Sequence, residues 1–106
     1  MNKTILGACC LLLVASAPAF ASDVEAGKKK SQTCAACHGA DGNSSTPDFP
    51  KIAGQHYDYL LKTLRDYKSG ARKNAIMAPL AGNLSQRDME DLAAFYSSQR
   101  GLVMKY

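Results

Sequence analysis

The chain of 106 residues, 46% hydrophobic and 21% charged, has room for one globular domain and no more. Its net charge of +4 comes from 13 basic and 9 acidic side chains that are interleaved rather than blocked, with no recognition motif among them. That pattern excludes a nucleic-acid partner.

The first segment differs from the rest. Lys3 supplies a short basic start, residues 5–17 form an apolar run, and Ala19, Phe20 and Ala21 give the small-x-small pattern of a secretory cleavage site. These predict a signal peptide over 1–21, cut after Ala21, and a mature domain over 22–106. The apolar run is too short to span a bilayer and a charged segment follows it, so a retained anchor is the weaker reading. Leu6-Gly7-Ala8-Cys9 faintly resembles a lipoprotein box, but it precedes most of the apolar run that it should follow. Cleavage would remove Lys3, Cys9 and Cys10, leaving a net charge of +3 and only Cys34 and Cys37 in an exported, oxidising compartment. A mature chain of about 85 residues is at the small end for an independent core, where a staple or a large bound group commonly assists folding.

Asp23 is placed to cap a first helix running from about Val24 through the cysteines, with Glu25 in its first turn where the helix dipole favours an acid. From Gly39 to Gly54 the chain is dense in Gly, Asn, Ser, Asp and Pro and reads as an irregular connection. Tyr57, Leu60, Leu61, Leu64 and Tyr67 then form one apolar stripe at helical spacing, and Gly70 stands where a C-terminal stop belongs. A second loop, from Ala71 to Asn83, holds Met77, Pro79 and Gly82. Ser85 and Asp88 form a capping-box pattern, and Leu84 and Met89 sit at staple spacing. The third helix runs to about Gln99 with Met89, Leu92, Ala93, Phe95 and Tyr96 on its apolar face, and Gly101 is read as its end. No alternating strand pattern occurs. The reading is all-α: three main helices with long loops.

The chemistry is concentrated in Cys34-Ala35-Ala36-Cys37-His38. A thioredoxin-like dithiol needs a βαβ setting that is absent here. Tetrahedral zinc wants four ligands, and after Cys34, Cys37 and His38 only His56 and scattered acids remain. A plain disulfide between Cys34 and Cys37 is the simplest reading, but it leaves His38 unexplained. C-x-x-C-H is the attachment signature of c-type haem. On a helix the three side chains at i, i+3 and i+4 share one face, so two thiols can bond the haem vinyl groups while the imidazole reaches the iron.

The second axial position then decides the chemistry, because a methionine there fills the site and raises the potential, whereas an open position admits gas or oxygen chemistry. Met77 is the candidate: it lies 39 positions after His38, enough to cross one helix and return, and Pro79 stiffens its loop. Met89 falls on the core face of the third helix and Met104 in the tail, while His56, a rival nitrogen ligand, sits at the start of the second helix.

In "EAGKKKSQTCAACHGADGNS", "FPKIAGQHYDYLLKTLRDYKSGARKNAIMAPLAGNLS" and "DMEDLAAFYSSQ" the mature chain resembles the class I cytochromes c over essentially its whole length. It is especially similar to single-haem relatives of the two-domain periplasmic cytochromes of the subclass numbered four. The resemblance implies the class I fold around one covalent haem c, with Cys34 and Cys37 as thioether cysteines and His38 and Met77 as iron ligands. It implies that the Pro50 carbonyl accepts the His38 N–H, and that Gly27 marks a close helix crossing facing Phe95 and Tyr96. Two departures stand out: Lys30-Ser31 occupies a place where relatives often carry an apolar residue, and the aromatic pair is in reversed order.

The function expected from this set is a periplasmic, monomeric electron carrier with no vacant position for a small-molecule substrate. Its basic residues, Lys28, Lys29, Lys30, Lys51, Lys62, Arg65, Lys68, Arg72 and Lys73, would either steer it to acidic patches on membrane respiratory complexes or simply solvate its helix faces. Two other readings are a haem subunit of a larger oxidoreductase and a gas-binding sensor, the latter requiring Met77 to detach.

Overall fold

The structure is a computed structural model that describes residues 4, 7–15 and 22–102. The expected cleavage site after Ala21 and Met104 lie outside the described residues. Five helices follow one another, α1 (Val24–Lys30), α2 (Gln32–His38), α3 (Tyr57–Ser69), α4 (Met77–Gly82) and α5 (Gln86–Ser97), and no strand occurs among the described residues.

Asp23 caps α1 as expected, its carboxylate accepting the N–H groups of Glu25 and Ala26 at 2.9 and 3.2 Å. The single helix expected through the cysteines is instead two. The Ser31 hydroxyl donates to the Lys28 carbonyl at 2.7 Å, competing for the acceptor that a continuing helix would use, and the Cys34 N–H tightens to the Ser31 carbonyl three residues back. The helix through the cysteines is therefore interrupted at Ser31, three residues before the first cysteine of the motif.

α3 matches its expected bounds, and Gly70 ends it with φ of 85°, the left-handed conformation that glycine adopts without a Cβ penalty. The loop expected over 71–83 contains α4, which sequence periodicity missed because one and a half turns are too short to show a repeat. α5 starts at the full Ser85–Asp88 capping box. It ends at Ser97, and Gly101 is not its stop: a Cβ there would lie 2.7 Å from the Ala53 Cβ, so this glycine serves close packing of the chain end on the 39–54 loop.

The core joins Leu60 and Leu61 of α3 to Met89, Leu92, Ala93, Phe95 and Tyr96 of α5, with Leu84 and Tyr57 packed on its edge. Each such large side chain contributes roughly 1.5–3 kcal/mol by leaving water. α5 is central, since it packs against both α1 and α3, while α4 packs on α3. At the first of these contacts Gly27 is buried, and a Cβ there would lie 2.0 Å from the Asp91 carbonyl oxygen and 2.8 Å from the Phe95 Cβ. The expected crossing exists, but Phe95 alone of the aromatic pair is at the glycine; Tyr96 turns toward Gly42 instead.

Lys30, unexpected at this crossing, reaches Asp91 at 2.8 Å and Asp88 at 2.9 Å, and Asp91 also accepts the Asp23 N–H at 2.9 Å. An ion cluster thus flanks the crossing. Arg87 completes it from the next turn, 3.3 Å from Asp91.

Candidate functional site

α2 puts Cys34, Cys37 and His38 on one face, and all three line a cavity of about 510 Å³. Its other walls are Pro50 and Ile52 from the irregular loop, Leu60, Leu64 and Tyr67 from α3, Met77 and Leu80 from α4, and Leu92 and Tyr96 from α5. The five residues singled out in the sequence as a site, Cys34, Cys37, His38, Pro50 and Met77, therefore meet around one space.

Glycine geometry builds the proximal wall. Gly39 and Gly42 have φ of 83° and 86°, which folds the loop back so that the Ile52 and Ala53 N–H groups donate to the Gly42 carbonyl at 2.9 and 3.1 Å. This return carries the Pro50 carbonyl to His38, whose Nδ1 lies 2.8 Å from it. A carbonyl can only accept, so Nδ1 carries the proton and Nε2 is left with its lone pair. His38 is buried, 8% exposed, so its orientation is set by this bond and by packing. An imidazole held in that tautomer is a prepared metal ligand.

The thioether at the cavity comes from α4. Asn74 caps the turn that presents it, with Oδ1 accepting the N–H groups of Ile76 and Met77 at 2.9 Å each, and the Asn74 carbonyl accepts the Ala78 N–H at 3.0 Å. Pro79 falls in the first turn of α4, where its missing N–H leaves no intrahelical bond unmade. Met77 is thus the first residue of a capped helical turn rather than part of the proline-stiffened loop expected from the sequence. Lys68 donates to the Gly82 and Leu84 carbonyls and ties the far end of α4 to α3.

The rivals lie elsewhere. Met89 is in the core, 3% exposed, and is not part of the cavity wall; His56 is exposed at the start of α3, also off that wall. No group of three His, Cys, Asp or Glu side chains among the described residues is arranged to hold a metal ion directly, which removes the zinc reading. Cys34 and Cys37 are not bonded to each other, and both are half-buried. Burial pushes the Cys34 thiol up, so it is held neutral.

Sequence reading missed two features of the wall. Asn74 could have been found from its position three before Met77, the spacing of a side-chain cap. Arg72 could not: its guanidinium lies 5.1 Å over the Tyr67 ring and donates to the Tyr59 hydroxyl at 3.4 Å, a cluster assembled across a loop. The Arg72 bond also draws the Tyr59 phenol below its ordinary pKa.

These residues fit an iron macrocycle. The space is apolar, and it falls in the range of about 300–1,000 Å³ usual for cofactor-sized sites. Two thiols and an imidazole with an available nitrogen share one side, and a thioether comes from another element. Tyr96, 4% exposed, adds a buried hydroxyl that has no hydrogen-bond partner in the protein.

Comparison with known proteins agrees. Residues 24–99 match the family described as Cytochrome c. The chain is 44% identical over 112 residues to cytochrome c4 of Stutzerimonas stutzeri, an alignment covering 97% of this chain and 53% of that protein. It is 45% identical over 82 residues to cytochrome c-554(548) of Halomonas halodenitrificans, covering 74% of this chain and 99% of that protein. The crystal structure of reduced recombinant cytochrome c4 from Pseudomonas stutzeri superposes with a TM-score of 0.73 at 49% identity, over 78% of this chain and 48% of that one. The chain therefore spans about half the length of its cytochrome c4 relatives and nearly all of the shorter one. With the motif, the cavity and the match over 24–99 in agreement, the chain belongs to the cytochrome c family, and its cofactor is a covalently attached haem c.

Proposed function

We propose that the chain is an exported, single-haem electron carrier of the periplasm in which Cys34 and Cys37 hold the haem as thioethers and His38 and Met77 are the axial ligands. The observation that carries this reading is that His38, fixed in its Nδ1–H tautomer by Pro50, shares one cavity with both thiols and with the Met77 sulfur. The bound haem iron would supply a one-electron couple. The chain's own part is to set that couple and protect it. A thioether on the distal side raises the potential, and the Pro50 bond adjusts the electron donation of His38. Leu60, Leu64, Leu80 and Leu92 exclude water from the site. With both axial positions held by protein, little has to rearrange when the charge changes, which suits a carrier.

Recognition would fall to the basic groups. Lys62 is paired with Asp66, Arg65 donates to Gln86, Lys68 to backbone carbonyls, and Lys30 to the acids of α5. Arg72 is held by Tyr59 and Tyr67, whereas Lys51 lines the cavity and Lys28, Lys29 and Lys73 are exposed, so these four lysines are the better candidates for steering an acidic redox partner.

The test is Met77→Ala in the exported protein. The reduced variant should bind carbon monoxide readily at neutral pH while the parent refuses it, and the oxidised variant should lose the red-region charge-transfer band together with a fall in potential. An unchanged band and potential would remove Met77 from the site. A colourless product with the mass of the bare polypeptide would overturn the attachment itself.

A further inference from the structure

Tyr96 is the buried polar group that the reading so far leaves without a task. Its side chain lines the cavity at the α2 side, its ring lies against Gly42, and its hydroxyl is sealed from solvent without a hydrogen-bond partner in the protein. A buried hydroxyl left in that state costs about 1–3 kcal/mol, so an orphan in a well-packed core calls for a partner. Two groups are near enough to bear on its ionisation, the Cys34 sulfur and the Ser31 hydroxyl.

Position decides between them. Ser31 has committed its one hydroxyl proton to the Lys28 carbonyl at 2.7 Å and could only accept from Tyr96, but it is not on the cavity wall that Tyr96 and Cys34 share. Cys34 as a free thiol could in principle donate or accept. Once its S–H has added across a haem vinyl group, sulfur to one carbon and hydrogen to the other, the sulfur keeps only lone pairs and can only accept. Tyr96, with one O–H, is then the donor that the thioether side of the cavity lacks. Position in the aromatic pair matters here. Phe95 packs its Cβ toward Gly27 at the α1 crossing, whereas the next residue faces the cavity, so the order Phe-Tyr rather than Tyr-Phe sends the hydroxyl to the haem side.

We propose that the Tyr96 hydroxyl donates a hydrogen bond to the thioether sulfur formed by Cys34, and that this bond holds the reduction potential above the value the axial ligands alone would give. The inference rests on the haem attachment proposed above. Its physical basis is electron withdrawal: a donor on a ring substituent draws density from the macrocycle and favours the electron-richer reduced state. Tyr96 is a positioning and tuning residue, since it touches the attachment sulfur and not the iron.

The experiment compares the intact exported holoprotein with Tyr96→Phe, which keeps the ring and removes only the hydroxyl, and with Tyr57→Phe, a tyrosine at the core edge and off the cavity wall, as the control. Tyr96→Phe should shift the reduced-to-oxidised equilibrium about threefold toward the oxidised form, a fall of roughly 28 mV at 59 mV per tenfold, while Tyr57→Phe leaves it in place. In resonance Raman spectra the thioether C–S band should shift on transfer to deuterium oxide in the parent and not in Tyr96→Phe. The variant should melt no higher than the parent. An unchanged potential, a deuterium shift that survives in Tyr96→Phe, or a higher melting temperature, as expected when a true orphan is deleted, each overturns the inference. A coloured protein giving those results sinks the Tyr96 assignment alone, whereas parent protein lacking covalent haem sinks the attachment on which it rests.

Discussion

At the α1–α5 crossing the chain closes on itself, whereas along α4 it turns its apolar side chains to a cavity. The crossing has backbone against backbone at Gly27, a capped helix start at Asp23, and an ion cluster in which Asp91, 2% exposed, is met by Lys30, Arg87 and the Asp23 N–H. α4 is six residues long, held at its start by Asn74 and at its end by Lys68, and leaves Ile76 58% and Leu80 39% exposed beside the cavity. The first region is stabilised by contacts within the polypeptide, the second by a few hydrogen bonds and by whatever fills the space. A fold divided in this way keeps its helix-crossing frame rigid while Met77 sits on its least self-sufficient element. Substitutions in the two regions should therefore fail in different ways, one globally and one locally.

The largest effect is expected from Gly27→Val. The added Cβ would fall within 2.0 Å of a backbone oxygen on α5, which cannot rotate away as a side chain would, so the helices must separate and take Phe95 with them. A cost of about 3 kcal/mol or more is expected. For a domain of this size each kcal/mol lowers the melting temperature by about 4–8 °C, and thermal melts of the holoprotein would read the loss directly. A variant melting within a few degrees of the parent would mean that the crossing is loose.

The ion cluster is a finer probe of the same region. The Ser85 N–H and then Lys30 hold the Asp88 carboxyl down at about 2. Burial would push Asp91 up, but Lys30, the Asp23 N–H and Arg87 outweigh it and its pKa is lowered. Lys30 in turn is raised above 10.5, first by Asp91 and then by Asp88. Carboxyls with depressed folded values stabilise the protein above their ordinary value of 3.8 and lose that contribution as pH falls through the folded values. A raised lysine stabilises below 10.5 and loses its contribution as pH rises through its folded value. The stability difference between the parent and Lys30→Met should thus be about 1 kcal/mol between roughly pH 4 and 10 and should close on both sides. Part of the parent's acid loss should survive in the variant, because the Ser85 cap on Asp88 is untouched. A difference that stayed flat from acid to alkali would remove the cluster from the account of the crossing.

What could be read from the sequence follows the same division. The capping box at Ser85, the stripe from Tyr57 to Tyr67 and the stop at Gly70 were legible because caps and helical periodicity are local and repeat over several turns. Of the five residues that meet at the cavity, Cys34, Cys37 and His38 were legible because C-x-x-C-H is a spacing rule, Met77 stood out by its placement 39 positions after His38, and Pro50 came through resemblance. The break at Ser31 was not, since it depends on one hydroxyl competing for a carbonyl. The burial of Asp91 was not legible either, because a carboxylate beside Leu92 gives no core signal until its partners arrive from α1, some 61 positions away in the chain for Lys30. Tyr96 was placed correctly in the core, but the direction of its hydroxyl became visible only once Phe95 was seen to occupy the glycine crossing.

The smallest effect, and the sharpest contrast with Gly27, should come from Asn74→Ala. The substitution removes one oxygen that accepts two N–H groups, those of Ile76 and Met77. Both residues lie beside solvent-accessible chain, so water can replace the lost acceptor, and the cost is that of a helix cap, about 1 kcal/mol. Because α4 packs only on α3 among the helices, opening of this turn need not disturb α1 or α5. Hydrogen exchange at the Ile76 and Met77 amides should accelerate about fivefold, the equivalent of that 1 kcal/mol, while amides across the α1–α5 crossing keep the parent's protection. The reduced variant should also take up carbon monoxide faster than the parent, though more slowly than Met77→Ala, since the sulfur is still present and only its turn is loosened. Uniform acceleration of exchange across both regions would show that α4 and the crossing unfold as one unit, and would end the division between them.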